Sequence, residues 1–564
     1  MKIISKKTKN SVVKNKAGGA AFSFKNPAEY LLATIGSSMF VEPKYYNDVE
    51  DLDKIKKGDF SGEGLDEQAI NIINACIEVC LGDNPRDILA LAHWARTELR
   101  MRTTPQVMVA VAAHYEKSKP FVREYVSKVA LRADDVKQIV ASYERLFGWK
   151  GFPACLKKGV SDKLSTLSEY EVLKYNTKKH PTFADLLKFC DRKKDFPFSQ
   201  PMRNYILTGE VTDEDSIPMV AARKELTSRT EWSEDIPELA RLAGATWEVL
   251  ISQFGNKAEV WETAIPLMGY MALLRNLGNF LSADISDEMV KRVVDKLSSK
   301  EEVLRSKQLP FRFLAAHRVL DPNTNFNWLY GGSRNTRNRD EWKHEKLQAL
   351  SGAVELALEH SLENVIELPG ITCVAADNSA SMTKEISKNS VITAMDIANV
   401  LGAIVHKKSE QSVISSFGSE AIWPTLIKQN SILTNMNIIA NFESSRRGHA
   451  THAHKVIDYL IKNNIFVDRV VVLSDMQCYD EGRQFNSSSS LSFVLKKYRE
   501  NVNKNCYLHS FDLMGYGTRQ TPSKDPLSNV IGGFSEKIFD NILIHEGAED
   551  NSVMPSLEWI REHY

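Results

Sequence analysis

Nowhere in the chain do about 18 apolar residues follow one another, the length a helix needs to cross a bilayer. The N-terminus is polar and lysine-rich where an export signal would be apolar. No membrane span is expected, and a reducing, cytoplasmic address is. Cysteine is sparse: seven residues, an odd number, at 76, 80, 155, 190, 373, 478 and 506, with no CxxC pair and no zinc-type cluster. That excludes a disulfide framework. Cys76 and Cys80, one helical turn apart in an apolar run, read as buried thiols. Net charge is also missing, because 72 Lys plus Arg balance 72 Asp plus Glu. Any case for a polyanionic partner must come from local patches. A phosphate-cradling GxxxxGK[ST] loop, a Cys/His nucleophile pair and a paired-carboxylate active site are absent too, so a non-catalytic protein is expected.

What is present divides into two halves. At 564 residues the chain exceeds one core and suggests roughly two to four domains. Residues 1–17 form a basic tail. Over 18–364, apolar residues recur at helical spacing, as in Ile88-Leu91-Ala92-Ala95 and Met268-Met271-Leu274, with breaks at Gly82-Asp83-Asn84-Pro85 and Gly148 to Pro153. Helices joined by short turns over such a length predict stacked, degenerate HEAT-like repeats, in a mainly α ring or solenoid. The rhythm changes near 365. Apolar runs at 371–376, 412–417, 469–473 and 506–511 alternate with helical stretches at 391–406 and 452–463, which reads as a doubly wound α/β domain over 365–564. Its ligands are expected at the carboxyl ends of the strands, where Asp377 and Asp475 fall.

Asp377-Asn378-Ser379-Ala380-Ser381 follows a buried strand as a DxSxS pattern. One carboxylate and two hydroxyls at alternate turn positions can face one centre, and these hard oxygen donors suit Mg²⁺. The loop Arg447-Gly448-His449-Ala450-Thr451 could add a hydroxyl, and Asp475 a second carboxylate. His449, His452 and His454, the only nearby candidates for a general base, read as exposed histidines. The pattern resembles the metal-ion-dependent adhesion site of von Willebrand factor A domains. That resemblance implies a divalent metal held by Asp377, Ser379, Ser381, Thr451 and Asp475, although His449-Ala450-Thr451 stands where the family usually has Gly-Gly-Thr.

From Arg145 to Lys194 twelve Lys/Arg face five Asp/Glu, with Phe147, Trp149, Phe152, Tyr170, Tyr175, Phe183 and Phe189 interleaved. Lys174, Lys178, Lys179, His180, Lys188 and Arg192 fall on two short helices and their turn. Such a patch can neutralise phosphates while rings stack on unpaired bases. Arg96, Arg100 and Arg102 form a second cluster. The alternative is a solvated helix face with its aromatics in the core.

The helical half resembles the TROVE module of the Ro autoantigen family. The resemblance is carried by residues 17–22 (AGGAAF), Gly148-Trp149-Lys150, 175–188 (YNTKKHPTFADLLK), 271–278 (MALLRNLG) and Leu309-Pro310-Phe311-Arg312. The order, helical module then A domain, is also the family's own. It implies a ring of helical repeats closed by the A domain, with single-stranded RNA ends entering the hole and small Y-type RNAs on a basic outer surface. Arg275, within the MALLRNLG segment, joins the RNA-contact candidates, with a helix-end salt bridge as its other reading. The expected protein is a monomeric ribonucleoprotein component, linked to an exoribonuclease or another protein through RNA or through the metal site. A metal-dependent protein-interaction adaptor that binds no RNA is the competing function. The lysine- and asparagine-rich composition fits a bacterial or phage source.

Overall fold

The computed structural model describes residues 12–14, 20–22, 24, 26–37, 42–43, 45, 67–148, 151–177, 179–190, 198–308, 310–321, 342–363, 365–386, 392–477, 490–514, 520–522, 525–532, 542–543, 545–546 and 557–564. A short antiparallel hairpin, β1 (Val12–Lys14) with β2 (Ala20–Phe22), comes first. Val12–Lys14 therefore pairs with the body, although the sequence places it in the tail.

The helical half begins with α1 (Pro27–Ser37), α2 (Glu67–Leu81), α3 (Asp87–Thr97), α4 (Thr103–His114), α5 (Lys119–Val129), α6 (Ala133–Phe147) and α7 (Ala154–Leu164). It continues through α8 (Glu169–Tyr175), α9 (Phe183–Phe189), α10 (Gln200–Thr208), α11 (Pro218–Ser228), α12 (Ile236–Leu242), α13 (Trp247–Phe254) and α14 (Ala258–Ala264). Then come α15 (Tyr270–Ala283), α16 (Asp287–Ser298), α17 (Lys300–Ser306), α18 (Pro310–Leu320) and α19 (His344–His360). The periodicity explains them. In α6, Val136, Ile139, Val140, Tyr143 and Leu146 make one buried stripe, and Gly148, at φ 84°, ends the helix where a side chain would be strained. Helices pack on next-nearest neighbours as well as adjacent ones, as α3 on α5, α4 on α6 and α5 on α7 do. This two-layer stacking is that of a helical-repeat array.

The α/β half is a six-stranded sheet. β3 (Leu368–Asp377), α20 (Ala394–Lys408), β4 (Ser409–Phe417), β5 (Ala421–Ile422), α21 (Ile432–Asn441), α22 (Ser444–Arg447) and α23 (His454–Lys462) come first. β6 (Arg469–Ser474), α24 (Leu491–Asn501), β7 (Tyr507–Asp512), β8 (Ser528–Gly532) and α25 (Leu557–His563) complete it. The strand order is β5-β4-β3-β6-β7-β8, all parallel except β5. Both faces are covered, so the strands read as continuous apolar runs. Cys373 and Ala375 pack with Val456, Leu460 and Tyr498 of α23 and α24, whereas Val374 and Ala376 pack with Ile397 and Leu401 of α20.

The core on the α20 face is continuous with that of the helical array. Polar contacts join the halves at both ends of the array. At its start, α1 lies against β8, and Arg561 of α25 grips Asp87 of α3 through two bonds of 2.8 and 2.7 Å. Tyr564 Oη donates to Glu98 at 2.8 Å. At its far end, Arg318 meets Asp396 at 2.7 Å and Lys407 meets Glu359 at 2.5 Å. The A-type domain thus closes the helical array into a ring. No helix among the described residues is long and apolar enough to cross a membrane.

Candidate metal centre and nucleic-acid surface

In the sheet, β3 leads to β4 on one side and pairs with β6 on the other, so the strand order reverses between β3 and β6. Asp377 and Asp475 sit at the carboxyl ends of these two strands, flanking the crevice where such folds collect ligands. Both are fully buried. Ser379 N–H donates to Asp377 Oδ1 at 2.9 Å, and Ser474 Oγ donates to Oδ2 at 2.6 Å. Ser379 Oγ lies 3.3 Å from Ser381 Oγ. Gln477 N–H donates to Asp475 Oδ1 at 3.1 Å, while Oδ2 is buried without a hydrogen-bond partner among the described residues. Ser381 approaches the Asp475 carboxylate closely enough to stabilise its charge, but not in hydrogen-bonding geometry to Oδ2. Burial first, and the neighbouring Asp475 charge second, push the Asp377 pKa up to about 7, and burial raises that of Asp475.

The loop after α22 is tied to the motif by the Ala380 N–H to His449 carbonyl bond at 3.0 Å, and Thr451, two residues on, is buried. Four of the five predicted donors, Asp377, Ser379, Ser381 and Asp475, thus meet, and Thr451 stands in the adjoining loop. An orphaned buried carboxylate oxygen beside a second carboxylate and two hydroxyls fits a hard divalent cation. Among the described residues no three His, Cys, Asp or Glu cluster as a metal site. This centre has only two carboxylates and otherwise hydroxyls. The histidine reading needs correction: His449 is exposed, but His452 and His454 are buried, and His452 Nδ1 lies 3.1 Å from the Ser419 carbonyl. The sequence reading also missed Ser474, and the reciprocal amide bonds of 2.9 and 2.8 Å that pin Asn378 to Asn399 of α20.

On the helical half the basic clusters separate. Arg96 is a correction: it is 7% exposed, its guanidinium bonds Asp135 at 2.7 Å and donates to the Val129 and Met101 carbonyls, so it is a core ion pair. Arg102 is ion-paired with Asp134, and Arg100 is exposed with φ 55°. Lys179 and Lys188 are exposed, and Lys174 lies over the rings of Tyr175 and Tyr170 at 5.5 and 5.9 Å. His180 is exposed between Glu144 at 2.9 Å and Asp185 at 3.2 Å. Lys178 and Arg192, with Trp149, lie outside the described residues.

Most of the patch's carboxylates are spent locally. Glu171 and Asp185 close capping boxes with Ser168 and Thr182, Asp162 pairs with Arg123, and Glu169 accepts from Ser199 N–H. Among the described residues the aromatics do not form a stacking platform. Phe152 and Phe183 are buried, Phe189 packs edge-on against Phe152, and Phe147 stacks on His114 at 3.8 Å, so of the described rings of the patch only Tyr170 is well exposed. Lys137, which the sequence reading missed, is a buried ammonium 3.1 Å from Thr177 Oγ1, and burial lowers its pKa.

Arg275 is exposed on α15. Its charge is felt by Arg312 of α18, whose pKa burial lowers first and Arg275 second. Among the described residues neither makes an ion pair. An opposite charge acting on Arg312 is Glu42, which accepts the N–H groups of Thr103 and Thr104 at 2.5 and 2.7 Å at the start of α4.

Comparison with known proteins agrees with this architecture. The TROVE domain family model matches residues 29–243 and 239–327, more than half of the chain. "Telomerase protein component 1" of Mus musculus is 29% identical over 303 residues, covering 43% of this chain and 12% of that protein. "RNA-binding protein RO60" of Caenorhabditis elegans is 26% identical over 204 residues, covering 36% of this chain and 30% of that protein. The chain therefore spans only a small part of the length of these curated relatives. The crystal structure of the Deinococcus radiodurans RO (RSR) protein superposes with a TM-score of 0.62 at 16% identity, covering 84% of this chain and 93% of that one. That likeness establishes the shared fold of helical ring and A-type domain. With the helical array matched almost from end to end, the chain belongs to the TROVE domain family, as a Ro-like protein.

Proposed function

We propose that this chain is a non-catalytic RNA-binding scaffold. In this reading it holds a small structured, Y-like noncoding RNA on the surface of α8 and α9. Single-stranded ends of misfolded RNA enter the ring toward Arg275 and Arg312. The observation that carries the reading is the charge of Lys174, Lys179 and Lys188, which no ion pair among the described residues compensates, because the described carboxylates around them are bound in helix caps and ion pairs. The RNA-binding name of the nematode relative points the same way. Lysine ammonium groups neutralise phosphates without reading sequence, so RNA shape and loose ends decide the ligand.

The A-type centre would hold one Mg²⁺ through Asp377, Ser379, Ser381, Thr451 and Asp475. The ion would supply positive charge at this surface, to which an acidic group on a partner could bind, and an exoribonuclease or another protein would in that way join a ribonucleoprotein for RNA quality control. The protein would act as a cytoplasmic monomer. The orphaned Asp475 oxygen is the observation that supports the metal, and it also supports the second reading, a metal-dependent adaptor without RNA.

The deciding experiment is binding of a structured RNA with a single-stranded 3′ tail across a salt series. Log K should fall with log salt by about 0.7 per phosphate contacted on the single strand. Lys179→Ala with Lys188→Ala should weaken binding while Asp377→Ala leaves it unchanged. Affinity indifferent to salt, or lost with Asp377→Ala alone, sinks the scaffold reading.

A further inference from the structure

Beneath the metal centre lies a cation that the reading above does not use. Arg447 closes α22, four residues before Thr451, and is 7% exposed. A guanidinium taken out of water normally keeps a carboxylate partner, because its lost hydration must be replaced. Arg447 makes no ion pair among the described residues. Its Nη1 donates to Ser416 Oγ at 3.0 Å and to the Ala440 carbonyl at 2.7 Å, and its buried Nε has no hydrogen-bond partner among the described residues. Ser416 is in register with Ala376, and the next pair along the strands is Phe417 with Asp377. The guanidinium is thus anchored on the β4 side of Asp377, and Asp377 is the carboxylate whose charge acts on it.

The arginine is held there by close packing. A Cβ on Gly418 would fall 3.2 Å from Arg447 Cγ and 2.5 Å from the Gly448 carbonyl. Gly448 has φ 70°, and a Cβ on it would lie 2.6 Å from Ser419 Oγ. The two glycines let the loop and the stem of Arg447 press close to the strand end of β4, where the side chain is buried.

We infer that Arg447 is a built-in counter-charge of the metal centre, competing with a divalent cation for Asp377 and keeping that cation exchangeable. The inference rests on the metal reading above. With both carboxylates ionised, as a bound cation requires, the guanidinium leaves the centre with a formal charge of one negative instead of two. In a buried site, at an effective permittivity of about 20, such charges still interact strongly at several ångströms. Arg447 therefore eases the repulsion between Asp377 and Asp475 in the metal-free protein and weakens the attraction on the incoming ion.

The test is calorimetric titration of Mg²⁺ into the EDTA-stripped full chain, comparing wild type with Arg447→Gln, Arg447→Met and Arg447→Lys. Gln keeps a donor for Ser416 or Ala440 without the charge, which separates charge from packing if the Met variant fails to fold. The neutral variants should bind Mg²⁺ about tenfold more tightly, which is about 1.4 kcal/mol. The Lys variant should stay near wild type. Melting in EDTA should fall for the neutral variants, and their gain on adding Mg²⁺ should exceed that of wild type. Clear Mg²⁺ binding by wild type with unchanged or weaker binding by Arg447→Gln overturns the inference and leaves the metal reading standing. No Mg²⁺ binding by wild type or by any folded variant overturns both.

Discussion

A charged residue acquires its role from its neighbours, and here three arginines diverge for that reason. Arg96 is bound to Asp135, Arg447 is buried within the field of Asp377 with no ion pair among the described residues, and Arg275 stands exposed, its charge felt by Arg312. Removing a buried partner costs more than removing an exposed one, because the remaining charge is left without solvation. Asp135→Ala should therefore lower the melting temperature strongly, by the equivalent of about 3–5 kcal/mol. His406 gives the pH dependence. Its Nδ1 lies 2.7 Å from Ser412 Oγ, its Nε2 is buried without a partner, and burial, then Lys428 and Lys407, push its pKa down to about 4. Its folded pKa lies below the unfolded value near 6.5, so between those two values the unfolded chain binds more protons. Stability should thus fall as pH drops from about 6.5 toward 4. His406→Asn, which keeps a polar atom facing Ser412, should flatten that part of the melting-temperature profile. An unchanged profile would remove His406 from the account.

Among the helices, α5 and α7 approach closely at Gly159. A Cβ on Gly159 would lie 2.7 and 2.9 Å from Val126 side-chain atoms and 3.0 Å from the Arg123 carbonyl. Gly159→Ala should destabilise the array by about 1–3 kcal/mol, despite alanine's better helix propensity, because the two helices must part. A melting temperature equal to or above that of wild type would contradict it. The link between α8 and α9 is anchored by Lys137, whose ammonium meets Thr177 Oγ1. Lys137→Met should weaken RNA binding while leaving the salt slope near wild type, since the buried ammonium positions the loop and contacts no phosphate. A slope that falls as it does for Lys179→Ala would show Lys137 to be a phosphate contact.

At the scale of the molecule, ring closure depends on α25 gripping α3. Asp87 is almost fully buried and receives both of its charge-assisted bonds from Arg561. Arg561→Ala should raise hydrogen exchange in α1, α3 and β8 together while α13 to α15 stay protected. Uniform exchange across the array would mean that the grip is dispensable. Metal removal belongs at this scale too. EDTA should leave the ring closed, because the Asp87, Asp396 and Glu359 contacts do not pass through the centre, and small-angle scattering should show unchanged dimensions.

The sequence by itself determined what depends on near neighbours. Helical stripes such as Val136, Ile139 and Val140 fall within one element, and the strand-then-DxSxS order places Asp377 and Ser379 together whatever the rest of the chain does. So do the capping boxes at Ser168 and Thr182. The TROVE resemblance extended that reach through recognisable local segments. Only the tertiary structure decided which basic residues remain uncompensated and which aromatic rings are core. The partners of Arg96, Arg447 and Arg561 come from other elements, and those of Arg561 from the far end of the chain. A charge is neutralised by whatever lies within a few ångströms, and that distance in space is set by folding rather than by position along the chain.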